Sequence, residues 1–219
     1  PRAVGAVPGG GASQATAPAS VVTGDFRVRL TPPAYTHRSS EVLEHPVQIT
    51  AIAGSQIRIE STSGDTIREF IAATSTGLDV PVAGGATRFL SVIVVPDGVP
   101  TVRVAEPGKD SAFVEPKGRV PVEVEALDDL GLASVAVRYT KASGGGENVT
   151  FTQGEMPVRL DRRSDRDWRA HAEFVLDSLN LSEGDVLVYR AVARDTNPAG
   201  QLVQSEPYVI EIGKNAMVA

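Results

Sequence analysis

The chain contains no cysteine, which excludes disulfides, thiol nucleophiles and thiolate metal sites together. A domain with an adequate core does without disulfides even in an oxidising compartment, so this absence leaves the compartment open. Aromatic residues are few, at 5% of 219. No apolar run reaches the length needed to span a bilayer. There is no basic excess either. The formal net charge is -6, and nucleic-acid surfaces require a basic stripe, so nucleic acid is excluded as a partner. Arginine outnumbers lysine, a bias that carries no functional reading. The chain opens Pro1-Arg2-Ala3 without an initiator Met or a signal-peptide pattern, as expected of a piece of a longer protein or a processed form.

Glycine and proline are plentiful, 21 and 15 residues, which suits short strands joined by many turns. Residues 1–22 are mostly Gly, Ala, Pro, Ser and Thr, with Arg2 as the one charged residue. Such a segment buries too little to offset its ordering entropy and is expected to be a flexible linker.

A first module is expected over residues 23–98. Phe26-Arg27-Val28-Arg29-Leu30 alternates apolar and charged, the period of a half-buried strand. Pro32-Pro33 ends ladder pairing, because proline has no N–H to donate. Pro46 to Ile52 and Ile57 to Ile59 read as strands around a Gly54-Ser55 turn. Phe89 to Val95 is nearly continuous in apolar residues, the pattern of a strand buried on both faces. Between Ser61 and Gly85 the pattern is weak, so the expected module is short for a sandwich.

A second module is expected over 99–214, followed by a tail at 215–219. Its strands are signalled by Thr101–Val104, Val120–Ala126, Ala133–Tyr139, Val149–Thr152, Val158–Leu160, Trp168–Leu176, Asp185–Arg194 and Val203–Ile212. Asp128-Asp129-Leu130-Gly131 reads as a turn, Gly144-Gly145-Gly146 as a loop tip and Asp161 to Asp167 as a charged turn. Several short strands separated by turn signals, with no helical periodicity, are the pattern of an immunoglobulin-like fold. The fold class is all-β: two tandem immunoglobulin-like antiparallel β-sandwich modules behind a flexible linker.

The runs Leu30-Thr31-Pro32-Pro33-Ala34-Tyr35-Thr36, Ala53-Gly54-Ser55-Gln56-Ile57-Arg58-Ile59 and Val94-Val95-Pro96-Asp97 carry a family resemblance. So do Ala126-Leu127-Asp128-Asp129-Leu130-Gly131-Leu132, Gly184-Asp185-Val186-Leu187 and Ala193-Arg194-Asp195-Thr196-Asn197-Pro198. Over residues 25–213 the chain resembles large bacterial membrane-anchored envelope proteins of unknown function. These carry immunoglobulin-like modules outside the cytoplasm and a long Glu/Gln-rich helical region. The resemblance implies a periplasmic or otherwise extracytoplasmic location, protein partners in the cell envelope and a membrane-anchored parent. It supplies no chemistry to carry over.

Glu125, Asp128 and Asp129 fall at one strand end and Asp195 with Asn197 at another. Loops at one pole of a sandwich can join such groups, and calcium takes six to eight oxygen ligands. No full ligand loop is present, so these residues are expected to cap turns. The mixed charges of Asp161 to Asp167 cancel any steering field, although Arg forks bind carboxylate and phosphate. His37, His45 and His171 lack ligand spacing. Asn148-Val149-Thr150 and Asn180-Leu181-Ser182 match the glycosylation pattern, which means little in a bacterial protein. Tyr189, entering its strand after Leu179-Asn180-Leu181-Ser182-Glu183-Gly184, is expected to form a tyrosine corner, and Trp168 to lie in the core.

No catalytic, cofactor-binding or metal-ligating residue is assigned, and no cofactor is expected. The expected function is a non-catalytic interaction or spacer module. The alternative is a carbohydrate-binding module appended to an enzyme, which requires an exposed aromatic platform.

Overall fold

The computed structural model describes residues 26–145, 148–200 and 202–213. The expected linker 1–22 and tail 215–219 lie outside them. Phe26–Thr31 (β1), Glu41–Glu44 (β2), Gln48–Ile52 (β3), Gln56–Ser61 (β4), Thr66–Ile71 (β5), Thr76–Pro81 (β6) and Thr87–Val95 (β7) form two sheets. One runs β2-β1-β4-β5 and the other β3-β7-β6. Alternation along β1 turns Phe26, Val28 and Leu30 inward, where they meet Ile57, Ile59, Ile49, Leu90 and Val92. Fully burying each such side chain contributes on the order of 1.5–3 kcal/mol.

The weak stretch after Ser61 holds two real strands. β5 and β6 are sheet edges carrying Arg68, Glu69 and Asp79, so their sequences show polar residues where a central strand shows valines. β7 differs from expectation in the other direction. Its burial alternates, with Phe89 62% and Val95 43% exposed. The sheet has only three strands and one face open to solvent, so an apolar run need not mean two buried faces. Phe89 instead lies over Gly77, where an added Cβ would sit 2.6 Å from its ring.

The second group comprises Thr101–Glu106 (β8), Ser111–Phe113 (β9), Arg119–Leu127 (β10), Leu132–Gly145 (β11), Asn148–Met156 (β12), Arg159–Arg162 (β13), Asp167–Val175 (β14), Val186–Asp195 (β15), Val203–Gln204 (β16) and Tyr208–Ile212 (β17). Its sheets run β13-β14-β10-β8 and β12-β11-β15-β17-β9, with β16 beside β15. Gly144 and Gly145 continue β11 rather than forming a loop tip; Gly146 lies outside the described residues. The core joins the valines of β10 and Trp168, Ala170, Ala172 and Phe174 of β14 to Val137, Leu187, Tyr189 and Ile210. The fold is therefore all-β, with tandem sandwich modules built on two separate cores. Pairing is antiparallel except at β3–β7 and β9–β17, two pairs that are parallel.

Charged residues on the outer faces pair across strands. Arg169 bonds Glu123 and Glu125, each at 2.7 Å, and Arg103 also reaches Glu125. Glu125 thus belongs to a sheet face, not to a pole. Arg162 lies 4.2 Å from the Trp168 ring centroid, a cation–π contact.

The tyrosine corner is not formed. Tyr189 is 1% exposed, but its hydroxyl finds no hydrogen-bond partner among the described residues. Its ring instead packs on Phe174 and Tyr208, at 5.1 and 5.9 Å. Burial foremost, then the neighbouring Tyr208 and Asp110, pushes the phenol up to about 12. The turn before β15 is closed by Asp185, whose Oδ2 accepts the Ser182 N–H at 2.9 Å. Tyr189→Phe is therefore expected to be neutral or to stabilise the second core by up to about 1 kcal/mol, because it removes a desolvated hydroxyl. A loss above about 1 kcal/mol in thermal or denaturant unfolding would reveal a bonded hydroxyl.

Candidate functional site

The segment Pro96-Asp97-Gly98-Val99-Pro100 joins the end of β7 to the start of β8. Two prolines fix φ at its ends, and Pro100 is buried. Asp97 turns to the pole of the second group, where Asn197 Nδ2 donates to its Oδ2 at 2.7 Å. Gly98 sits against Asp129, and a Cβ there would be 2.9 Å from Oδ1. Tyr35, from the short 3-10 turn Ala34–Thr36, approaches Asp97 from the first group. Burial foremost, then the charge of Asp97 and a hydrogen bond to it, raises the Tyr35 phenol to about 12.

The turns beneath this seam are held by their own side chains. Asp128 Oδ2 accepts the N–H groups of Leu130 and Gly131, at 2.8 and 2.6 Å. Asp195 Oδ1 accepts the Asn197 N–H at 3.1 Å, and Asn197 Oδ1 accepts that of Ala199 at 2.9 Å. Gly200 is required where it stands, because any Cβ would overlap the Asp195 carboxylate. These are the turn caps expected of Asp and Asn. Asp97 Oδ1, Asp128 Oδ1 and Thr196 Oγ1 are buried without a partner among the described residues.

Sequence reasoning set Glu125, Asp128 and Asp129 at one strand end and Asp195 with Asn197 at another, as groups that pole loops can join, and missed Asp97 and Tyr35. Asp97 reads as a turn residue within Pro96-Asp97-Gly98, and its bond to Asn197 spans 100 residues. No local pattern signals such a pairing.

Asp195 is 4% exposed. Burial foremost, and next the charge of Asp97, raises its carboxyl above the ordinary range; the Asn197 N–H opposes this. A carboxyl that ionises less readily when folded penalises the fold above its raised pKa. The penalty fades as pH falls through that value toward the ordinary carboxylate range. Asp195→Asn is thus expected to raise the melting temperature at pH 7, with the gain shrinking on acidification. A gain that grows at low pH would contradict this.

Among the described residues, no group of three or more His, Asp or Glu is arranged to hold a metal ion. Melting curves in millimolar calcium and in chelator are expected to coincide. Calcium at about a hundred times its dissociation constant would otherwise add about 2.7 kcal/mol to the folded state. A rise of several degrees would make Asp97, Asp128 and Asp195 the ligands to mutate.

Other concavities are less organised. One open groove is lined by Met156, Val158, Arg159, His171 and Glu173. It joins the edge strand β13 to β14, and its one lining hydroxyl, Ser178, donates to the Val175 carbonyl at 2.7 Å. Trp168 is buried, so no sugar-stacking platform can use it.

The seam and the two cores define an all-β tandem of sandwich modules whose connection is hydrogen-bonded to the second module. No protein-family model matches the chain, and no curated protein matches it. Among solved structures, the chain is similar to BcpA, the major pilin subunit of Bacillus cereus, at 13% identity and TM-score 0.31. The match covers 87% of this chain and 65% of that one. Another similarity is to the titin Ig tandem A164-A165, at 11% identity and TM-score 0.26, covering 75% and 92%. A third is to AggA of Escherichia coli, the major subunit of aggregative adherence fimbriae type I, at 9% identity and TM-score 0.31, covering 52% and 93%. Among the described residues, no helix is long and apolar enough to cross a membrane.

Proposed function

We propose that the chain is a non-catalytic extracytoplasmic spacer and interaction unit of a bacterial envelope protein, with modules at 23–98 and 99–214. The observation that carries this reading is the seam. A five-residue connection with proline at both ends is anchored to the second group by the Asp97–Asn197 bond at 2.7 Å and approached from the first group by Tyr35. Such a junction holds two modules at a restricted angle, and a spacer depends on a fixed reach. The extracytoplasmic placement, the envelope protein partners and the membrane-anchored parent follow from the family resemblance of residues 25–213.

The absence of native cysteine permits a direct test, because introduced cysteines are unique labels. Spin labels on Arg68→Cys in β5 and Arg166→Cys are expected to give one narrow distance distribution. A broad distribution would refute the spacer role. Capture of envelope proteins on the immobilised chain, lost when the chain is unfolded, tests the interaction role.

A further inference from the structure

A sheet edge exposes a row of N–H and C=O groups to which another strand can add, and most proteins protect such edges. Most edges here are protected. β2 begins and ends on glutamate, β5 carries Arg68 and Glu69, β6 ends on Pro81, and β13 holds Arg159, Asp161 and Arg162. β8 is irregular in register against β10. β9 has three residues, and β3 has five and follows Pro46-Val47.

β12 has only one of these devices, the single acidic residue Glu155. It runs nine residues, Asn148-Val149-Thr150-Phe151-Thr152-Gln153-Gly154-Glu155-Met156, without Pro, Lys or Arg. It pairs with β11 in unbroken register, and among the described residues no strand lies on its other side. Its single charge, Glu155, is taken by Arg138 Nε at 3.2 Å. The strand also ends an apolar row. Phe151 is paired with Ala142, and Ala142 with Val186, so the three lie side by side on the outer face. Phe151 is 71% exposed and Val149 45%.

We infer that β12 is a self-association surface: two copies of the chain pair β12 to β12, antiparallel about a twofold axis at Thr152, joining their sheets into one. The strand itself selects this occupant. An edge whose one charge is already ion-paired to Arg138 gives no handle for a charged partner strand, whereas an antiparallel copy of it brings no like charges together. Antiparallel pairing about Thr152 sets Phe151 opposite Gln153 of the second copy, and Val149 opposite Glu155. In-register parallel pairing would place Glu155 against Glu155, which is unfavourable. At the axis, threonine meets threonine, a favourable cross-strand pair, and the two Phe151 rings become diagonal neighbours within reach of each other. Such an isologous contact closes at two copies.

The test uses the full chain in sedimentation equilibrium over a range of concentrations. The mass is expected to rise from 23.0 kDa toward twice that value. Thr152 is exposed but stands opposite Lys141 of β11, so Thr152→Lys should lower the melting temperature only slightly, by the cost of one solvated like-charge pair. It sets two ammonium groups opposite each other and should weaken the dimer at least about tenfold. Thr152→Cys, in a chain with no other cysteine, should oxidise to a disulfide dimer far faster than the exposed control Thr101→Cys. Three results would each overturn the inference: a monomer at every concentration, a dimer indifferent to Thr152→Lys, or equal cross-linking of the two cysteine variants. A monomer would leave the spacer role untouched, since that role rests on the seam and not on β12.

Discussion

Replacing Phe174 by alanine is expected to destabilise the second core by about 3–5 kcal/mol and to leave the first core unchanged. Phe174 is fully buried. Its ring meets Tyr139 edge-on at 5.8 Å and Tyr189 at 5.1 Å, so its loss empties the middle of an aromatic cluster. The cavity cost adds to the lost transfer energy, because close-packed neighbours relax only in part. The two cores share no residue: one draws on positions 26–94 and the other on 102–212. Distant, independent sites behave additively. Calorimetry should therefore show two transitions in the wild type, with only one moved by Phe174→Ala. A single transition that shifts as a whole would mean that the modules unfold as one unit.

The second large effect is expected at the seam. Asn197→Ala removes both the bond to Asp97 and the cap on the Ala199 N–H. The half-buried Asp97 then faces Asp195 without its amide donor, and the expected loss is about 1–3 kcal/mol. Asp97→Ala removes the same bond but also removes a charge that raises the Asp195 carboxyl, so it should cost less. A double-mutant cycle between the two should return a coupling of about 0.5–3 kcal/mol. The distance distribution across the modules should broaden in both single variants. Additive losses with an unchanged distribution would show that the Asp97–Asn197 bond does not hold the junction.

Alternation made β1, β10 and β14 legible, because a strand with one buried face repeats its apolar residues every second position. The same rule failed at both extremes. β5 and β6 were hidden because these edge strands carry Arg68, Glu69 and Asp79 on exposed positions where the central β7 shows apolar residues. β7 looked doubly buried because an apolar run does not say whether a second layer covers it. Tyr189 stood at the expected place for a corner, yet whether a hydroxyl reaches a partner depends on side-chain packing, and here Phe174 and Tyr208 claim the ring.

By itself, the sequence determined that the chain is all-β, that it holds two cores, and that Asp128 and Asn197 cap turns. Each of these follows from neighbours in the chain: strand period, turn chemistry, and side chains bonding nearby N–H groups. Only the tertiary structure decided the rest. It set Asp97 against Asn197 across 100 residues, and it left β12 as a long edge with one ion-paired charge and, among the described residues, one side unpaired. Both depend on which strands lie beside which, and that choice is made by burying two separate apolar cores, not by any local run of residues.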